Sequence, residues 1–326
     1  MATLVATARS HATGRVSGFV RRLRSGDAIA HTITLVFGCG ILVITALLVI
    51  ELFHSSAAAR HKFGWSFLTG STWDPVAGDF GALPFIFGTV VTSALALLIS
   101  LPLSLGAAVF LSELAPPKTS DALAFLIELL AAVPSVIYGL LGVFILVPFM
   151  REIGDPALRG ALGFLPFFQG QSYGVGVLTA GLVLAIMVAP YIVSVSREAL
   201  LTVPREQREG ALALGATRWE CTWQVVLPFA RLGIIGSVFL ALARALGETM
   251  AVTMVIGNDP AIHASLLAPG YSIAAVIANE FTEATSSLHV SALVELGLVL
   301  FGVTILINGI ARLLILATAR RGGARP

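Results

Sequence analysis

Six long apolar stretches alternate with shorter polar segments along this chain of 326 residues. Each stretch is long enough to cross the hydrocarbon core of a bilayer, which takes about 20 residues of helix. Several exceed that minimum, so we expect tilted helices or helices that extend beyond the membrane. The pattern predicts spans at 29–53, 83–111, 123–149, 173–196, 229–257 and 292–317.

Proline lies inside three of the apolar stretches, at Pro102, Pro134 and Pro190. A membrane helix tolerates proline because neighbouring helices and waters take up the backbone groups that it frees. We therefore expect kinks at these three positions, within otherwise continuous spans.

The composition agrees with a membrane protein. Hydrophobic residues make up 57% of the chain and charged residues 12%, about half of the charged fraction in soluble globular proteins. Cys39 and Cys221 are too few and too far apart for a disulfide framework, a CxxC redox pair or a metal site. The sequence thus predicts an all-α, polytopic membrane protein.

Lysine and arginine are distributed unevenly among the connections. One set precedes the first predicted span, lies in the second and fourth connections, or follows the last span: Arg9, Arg15, Arg21, Arg22, Arg24, Lys118, Arg197, Arg205, Arg208, Arg218, Arg312, Arg320, Arg321 and Arg325. The other connections hold only Arg60, Lys62, Arg151 and Arg159. The positive-inside rule therefore predicts that both termini and the fourth connection are cytoplasmic.

We predict one membrane domain with two flanking segments. Residues 1–28 form a basic cytoplasmic segment whose arginines are placed to contact anionic lipid, 29–317 the six-helix domain, and 318–326 a cytoplasmic tail. Ala57-Ala58-Ala59 resembles the cleavage site of a signal peptide. The first apolar stretch, at 29–53, exceeds the 7–15 residues of a signal peptide core, so we expect a retained helix.

The fourth connection, 197–228, contains a predicted helix. Pro204 suits the first turn of a helix, and Glu206 lies where the helix dipole favours an anion. Gly215 is suited to end the helix in a left-handed conformation. We predict one helix from near Val203 to Gly215 and a second over 217–226, at an angle to each other on the cytoplasmic face.

This connection carries a spaced motif: Glu, x, Ala, three residues, Gly, nine residues, an aliphatic residue, x, Leu-Pro. The matching residues are Glu209, Ala211, Gly215, Val225, Leu227 and Pro228. The motif resembles the EAA loop of ABC importer permeases, although Gly210 stands where the strict form has Ala. The resemblance implies a coupling helix that docks on a separate ATPase subunit through Glu209, Gly210, Ala211 and Gly215. The alternative is a basic amphipathic helix that lies on anionic lipid.

An ATP site is not expected in this chain. A phosphate-binding Walker A loop needs Gly-Lys-Ser or Gly-Lys-Thr, but Lys62 follows His61 and Lys118 follows Pro117. No Ser-His-Asp, paired-carboxylate or metal-binding arrangement is found in the polar segments, and the histidines His263 and His289 are isolated, so we do not expect an enzyme. ATP and Mg would be bound by the partner ATPase.

Two charged residues, Arg244 and Glu248, lie in the fifth predicted span. An isolated Arg in a bilayer costs at least ~2.5–3.5 kcal/mol. Glu248 is four residues from Arg244 and would share its helix face, beside small residues at Ser237, Ala241, Gly247 and Ala251. Two interpretations remain open: Arg244 lines a path for an anionic substrate, or the two residues form a structural ion pair at a helix interface.

The motif Arg244-Ala-Leu-Gly-Glu-Thr-Met-Ala-Val, followed by Ile256-Gly-Asn, is similar to the signature of PstC-type permeases of phosphate ABC importers. Further likeness runs through the segments 67–75, 80–90, 112–117 and 268–281. The resemblance implies the type I ABC importer permease fold, a bacterial inner-membrane location, and a role of Arg244 and Glu248 in phosphate passage. It also implies a PstA-type second permease, an ATPase dimer and an extracytoplasmic phosphate-binding protein as partners, with no nucleic acid.

Two other functions remain open at this point. Arg244 alone does not distinguish phosphate from sulfate or molybdate, so a permease for another oxyanion fits the same motif. A secondary, ion-coupled transporter or channel would explain a charged pair in the membrane but not the cytoplasmic loop. The outer segment 271–281 is too short to cross the membrane, and we expect either an interfacial or re-entrant helix or one that packs on the bundle.

Overall fold

The computed structural model of the chain describes residues 27–322 except Ser172, and the side chains of 30–313. The predicted basic segment 1–28 and tail 318–326 therefore lie largely outside the described residues. The chain divides into two units, one up to His54 and one from Ser55 onward, and each is described by itself.

In its described residues, the first unit contains one helix, α1 (Asp27–Ser55). Its apolar side chains are exposed around the helix, including Phe37 and Leu42. A helix that is apolar on all sides is suited to a lipid environment. The helix is long and apolar enough to cross a membrane, which confirms the predicted first span.

The second unit contains a small hairpin and a helical bundle. The hairpin pairs β1 (Trp73–Asp74) with β2 (Asp79–Phe80), antiparallel, with Trp73 opposite Phe80. The helices are α2 (Ala57–Phe63), α3 (Ser66–Thr69), α4 (Leu83–Leu114), α5 (Pro117–Ala131), α6 (Ser135–Leu162), α7 (Val177–Leu201), α8 (Arg205–Ala213), α9 (Arg218–Leu246), α10 (Met250–Val255), α11 (Ile273–Glu280) and α12 (Ser287–Gly322). A 3₁₀ turn covers Pro166–Phe168.

Six helices among the described residues are suited to cross a membrane: α1, α4, α6, α7, α9 and α12. The all-α class and the number of spans are therefore confirmed, with the hairpin as a small addition. Three of the spans contain π-helical turns, in which the backbone ladder widens by one residue. These turns are at Phe110–Leu114 in α4, at Gly142–Leu146 and Met150–Gly154 in α6, and at Thr222–Val226 in α9.

The third span differs from its prediction. Instead of one helix over 123–149 with a kink at Pro134, α5 ends at Ala131 and α6 begins at Ser135. Proline disfavours helical backbone in the residue before it, and Pro134 itself is extended, with ψ at 140°. The 15 residues of α5 span only about 22 Å, too short to cross. Pro102 and Pro190 lie inside α4 and α7, which continue past them.

The fifth span is also displaced, from the predicted 229–257 to 218–246. It begins early because Thr217 and Glu220 form a capping box: the Thr217 N–H donates to Glu220 Oε2 at 2.8 Å, and the Glu220 N–H to Thr217 Oγ1 at 3.3 Å. The predicted second helix over 217–226 is thus the start of α9. The π turn directly before Pro228 accommodates a residue without an N–H.

The core of the bundle is built around α7, the most deeply buried of the six candidate spans. It packs against α4 on one side and α9 on the other. Leu184, Val188 and Ile192 of α7 form a cluster with Ala241 of α9 and Val255 of α10.

The segment 271–281 packs on the bundle, at the end opposite α8. Ile273 and Val276 of α11 are fully buried, and the Ile273 N–H donates to Thr89 Oγ1 at 2.9 Å. Burial also raises the pKa of the Tyr271 hydroxyl. Of the two expected arrangements, the structure shows the packed helix.

Polar and aromatic contacts join the hairpin, α11 and α12 at the same end of the bundle. Trp73 Nε1 donates to Glu280 Oε2 at 2.9 Å, and His289 Nε2 lies 3.0 Å from the same oxygen. The ring of His289 also stacks on Phe80, with 5.3 Å between ring centroids. The sequence suggested that His289 is isolated. The structure instead shows that it joins α11, α12 and the hairpin.

A close approach between α4 and the chain before α11 gives a test of this packing. A Cβ at Gly88 would lie 2.0 Å from the Tyr271 carbonyl oxygen, whereas one at Gly106 of the same helix would meet no atom within 4 Å. We expect Gly88→Ala to lower the free energy of unfolding by about 1–3 kcal/mol, since the backbones must separate. Gly106→Ala should be neutral or stabilising by up to about 1 kcal/mol.

The measurement is thermal unfolding of the purified chain in detergent, with both variants compared with the parent protein. A melting temperature of Gly88→Ala equal to that of Gly106→Ala would contradict the close approach.

Candidate functional site

The helix predicted in the fourth connection is present as α8. It begins after Pro204, whose extended backbone has ψ at 143°, and ends before Gly215, whose φ is +90°. Glycine adopts this left-handed conformation without the strain that a Cβ causes. The start and the end of the helix that the sequence predicted are therefore confirmed.

The four predicted docking residues do not share one environment. Glu209, Gly210 and Gly215 are exposed, and a Cβ on either glycine would meet no atom within 4 Å. Ala211 instead packs against the apolar cluster beneath α8. Gly210 and Gly215 thus present an open surface without side-chain bulk, Glu209 adds an exposed carboxylate, and Ala211 attaches the helix to the bundle.

Arg208, on the same helix, makes contacts that sequence reasoning missed. Its Nη2 donates to Glu113 Oε1 at 2.8 Å and its Nε to Glu113 Oε2 at 3.2 Å, which is a bidentate ion pair. The guanidinium also donates to the carbonyl oxygens of Leu200 and Val203. Arg208 and Glu113 are 95 positions apart, so no local periodicity connects them.

Arg244 lies in the last turn of α9, where the helix dipole favours a cation. Its guanidinium carbon is 4.5 Å from the centroid of the Tyr191 ring, within the range of a cation–π interaction. Its Nε is buried and has no hydrogen-bond acceptor among the described residues. The cation is held by an aromatic ring and retains an unused donor.

Glu248 does not pair with Arg244 as expected. The helix ends at Leu246, so the two residues do not share a helical face. Glu248 Oε1 instead accepts from the Ala251 N–H at 3.3 Å and stabilises the start of α10. Among the described residues, no ion pair joins Arg244 and Glu248. The interpretation as a structural ion pair is therefore wrong for this conformation.

Tyr191 connects Arg244 to the break between α5 and α6, where a second tyrosine, Tyr138, also forms a hydrogen bond. Tyr191 donates its hydroxyl to the Ala131 carbonyl at 2.8 Å, and Tyr138 donates to Leu130 at 2.7 Å. These acceptors are among the last carbonyls of α5, which have no partner within the helix. Sequence reasoning missed both residues, but a tyrosine inside an apolar stretch is a usable signal, because a buried hydroxyl needs a partner.

The α9 helix has one buried and one exposed face near Arg244. The buried face packs on α7, where the Oγ atoms of Ser196 and Ser237 are 2.8 Å apart. The exposed face follows helical spacing and consists of Leu232, Gly236, Leu240, Ala243 and Gly247. We call these residues the open stripe of α9. Arg244 is adjacent to it and only partly buried.

Metal ligands are not clustered in the described part of the chain. Over 27–322 without Ser172, no three His, Cys, Asp or Glu side chains come together in a group that could hold a metal ion. Cys39 is exposed and Cys221 buried, both as free thiols. The chemistry that the geometry supports is recognition of an anion by a guanidinium.

Comparisons with known proteins are consistent with this geometry. Residues 100–320 match the family described as the inner membrane component of binding-protein-dependent transport systems. The chain is 47% identical over 309 residues to the phosphate transport system permease protein PstC of Mesorhizobium japonicum, covering 94% of each protein. It is 51% identical over 264 residues to the PstC protein of Xylella fastidiosa, covering 80% of this chain and 81% of that one.

Solved structures show the same fold. The chain resembles one in the crystal structure of a bacterial ABC transporter involved in the import of the acidic polysaccharide alginate, with a TM-score of 0.55 and 16% identity. The similarity covers 85% of this chain and 95% of the other. At this identity it concerns the fold alone, and it confirms the predicted ABC importer permease fold.

Proposed function

The chain belongs to the family of inner membrane components of binding-protein-dependent transport systems, among the PstC-type phosphate permeases, and we propose that it forms part of the phosphate path of an ABC importer. It is a multi-pass membrane protein, and in this proposal it acts as a transport subunit without enzymatic activity of its own. A second, PstA-type permease would complete the path. An ATPase dimer would bind ATP and Mg, and an extracytoplasmic binding protein would deliver phosphate.

The observation that carries the proposal is the position of Arg244 at the end of α9. This helix begins at Arg218, next to the predicted docking residues, and its 29 residues extend over about 43 Å. The π turn Thr222–Val226 and Pro228 are positions where this helix can bend, but its helical backbone runs without interruption from Arg218 to Leu246. Movement of the docking segment can therefore reach Arg244 through one continuous element.

Arg244 has the chemistry to contact phosphate. A guanidinium binds phosphate oxygens with two parallel hydrogen bonds, and a buried donor without a partner costs about 1–3 kcal/mol or more. A passing phosphate oxygen would offset that cost at the Nε, which has no acceptor among the described residues. We also place Glu248 on this path, as the residue that caps the start of α10 after the helix break that follows Arg244.

The open stripe of α9 supports a second permease subunit. Gly236, Ala243 and Gly247 lie on it, and small residues allow close approach between membrane helices. A partner on this face would enclose Arg244 between the two subunits. The path would then run along the interface, with both termini and α8 on the cytoplasmic side.

The exposed surface of α8 supports docking of the ATPase. Glu209, Gly210 and Gly215 leave the backbone open, and Leu214 is 92% exposed. Exposed large apolar side chains on a short surface helix suit a protein interface with a polar rim. Ala211 would hold the helix on the bundle while the partner moves.

The function is tested by uptake into proteoliposomes that contain this chain, the second permease and the ATPase. We expect phosphate-loaded binding protein and ATP to drive accumulation of labelled phosphate, unaffected by ionophores and by excess sulfate or molybdate. Inhibition by sulfate or molybdate would indicate another oxyanion permease. Uptake without ATP that ionophores abolish would indicate a secondary transporter and overturn the proposal.

Arg244→Gln tests the anion contact in the same vesicles. Since a hydrogen bond to a charged group contributes about 1.5–3 kcal/mol, we expect a ten- to hundred-fold lower uptake rate with normal assembly. Arg231→Gln is the matched control, because Arg231 is an exposed arginine of the same helix, and it should retain the parent rate. Normal uptake by Arg244→Gln would remove Arg244 from the path.

Glu209→Lys tests ATPase docking. We expect the ATPase subunits to no longer co-purify, while the melting temperature of the membrane chain is unchanged, because Glu209 is exposed. Gln207→Lys adds a lysine to an exposed position of the same helix and should leave co-purification intact. If α8 instead lies on anionic lipid, Glu209→Lys would strengthen lipid binding and the ATPase would still co-purify.

A further inference from the structure

We propose that Arg208 and Glu113 form a clamp that makes the end of α4 move together with α8, and that transport requires this clamp to link ATP hydrolysis to phosphate movement. The inference rests on the proposed function for its role in transport. The clamp itself rests on contacts within the chain. Neither residue is among the predicted docking or path residues.

The clamp joins three elements at one side chain. Arg208 projects from α8 and holds both oxygens of Glu113, in the last turn of α4. It also donates to the carbonyls of Leu200 and Val203, at the end of α7 and just after it. Arginine is suited to this task because its planar fork presents five donors in fixed directions.

The surroundings of the clamp favour a persistent contact. The side chain of Arg208 is 21% exposed and that of Glu113 is 11% exposed, so water screens the pair only weakly. Glu113 lies in the π turn Phe110–Leu114, and such turns occur frequently at functional sites. Removing either charge would leave the other partly buried without its partner.

The clamp has a mechanical role because α4 has no direct chain connection to α8. Thr202–Pro204 link α8 to α7, and Leu214–Thr217 link it to α9, so these helices follow α8 through short connections. At α4, Leu111 contributes to the apolar cluster beneath α8. Apolar contacts are non-directional, so they allow α4 and α8 to slide past each other. A bidentate ion pair, in contrast, fixes the relative position of its two side chains. The clamp would thus carry the movement of α8 to α4.

The first test is the number of phosphate ions taken up per ATP hydrolysed by the reconstituted complex. We expect Arg208→Gln and Glu113→Gln each to lower this ratio at least five-fold with the ATPase still bound, and the double variant to be no lower than either one. Arg197→Gln is the matched control, since it breaks another ion pair at this end of the bundle, with Asp121 of α5, and should keep the parent ratio.

A parallel fall of uptake and hydrolysis with an unchanged ratio would overturn the clamp, because a merely structural role has that effect. So would a double variant whose ratio falls by the product of the single effects. The parent complex reports separately on the proposed function: failure of phosphate uptake there refutes the substrate, whereas failure of the clamp shows only in the variants.

A second measurement does not depend on the substrate. Amide hydrogen exchange of the full-length chain in detergent should show that Arg208→Gln accelerates exchange in Phe110–Leu114, and that Glu113→Gln accelerates exchange in α8. Arg197→Gln should change neither segment. If each substitution loosened only its own helix, α4 and α8 would be independent and the clamp would be refuted, whichever anion is carried.

Discussion

The burial of α7 between α4 and α9 is the interaction on which the rest of the structure depends. In lipid, helices gain little from the hydrophobic effect and associate mainly through close packing and hydrogen bonds. Two such contacts hold α7 and α9 together: a Cβ on Gly233 would lie 2.3 Å from the Cβ of Ala199, and Ser196 is hydrogen-bonded to Ser237. Both contacts lie in adjacent turns of α9, so α7 fixes the position of this part of α9.

The same helix supports both functional regions. Tyr191, near its middle, lies under the guanidinium of Arg244, and the carbonyl of Leu200, near its end, accepts from Arg208. Each functional region thus contains an arginine whose side chain contacts α7. A change in the packing of α7 would alter both arginines together, which is the physical basis for connecting the docking surface with the proposed path.

Two helix breaks give the proposed path its shape. The break at Pro134 leaves the last carbonyls of α5 for Tyr138 and Tyr191, and the break at Gly247 ends α9 directly after Arg244. Broken helices place irregular backbone where it is buried in protein or lines a cavity, since lipid does not satisfy it. The first break is bonded to Tyr191 and the second follows Arg244, so the two breaks lie on either side of the contact between this ring and the guanidinium.

The sequence by itself determined the class, the number of spans, and the start and end of α8, because long apolar stretches, Pro204 and Gly215 act through local physics. It also singled out Arg244, which lies at the end of α9 against the ring of Tyr191. Only the tertiary structure decided that α5 is a separate helix, that Glu248 bonds to the start of α10 and not to Arg244, and that Arg208 reaches Glu113. Arg208 and Glu113 are 95 positions apart, and proline interrupts a helix at Pro134 but not at Pro102 or Pro190. These outcomes depend on packing between distant parts of the chain, which no local pattern of residues specifies.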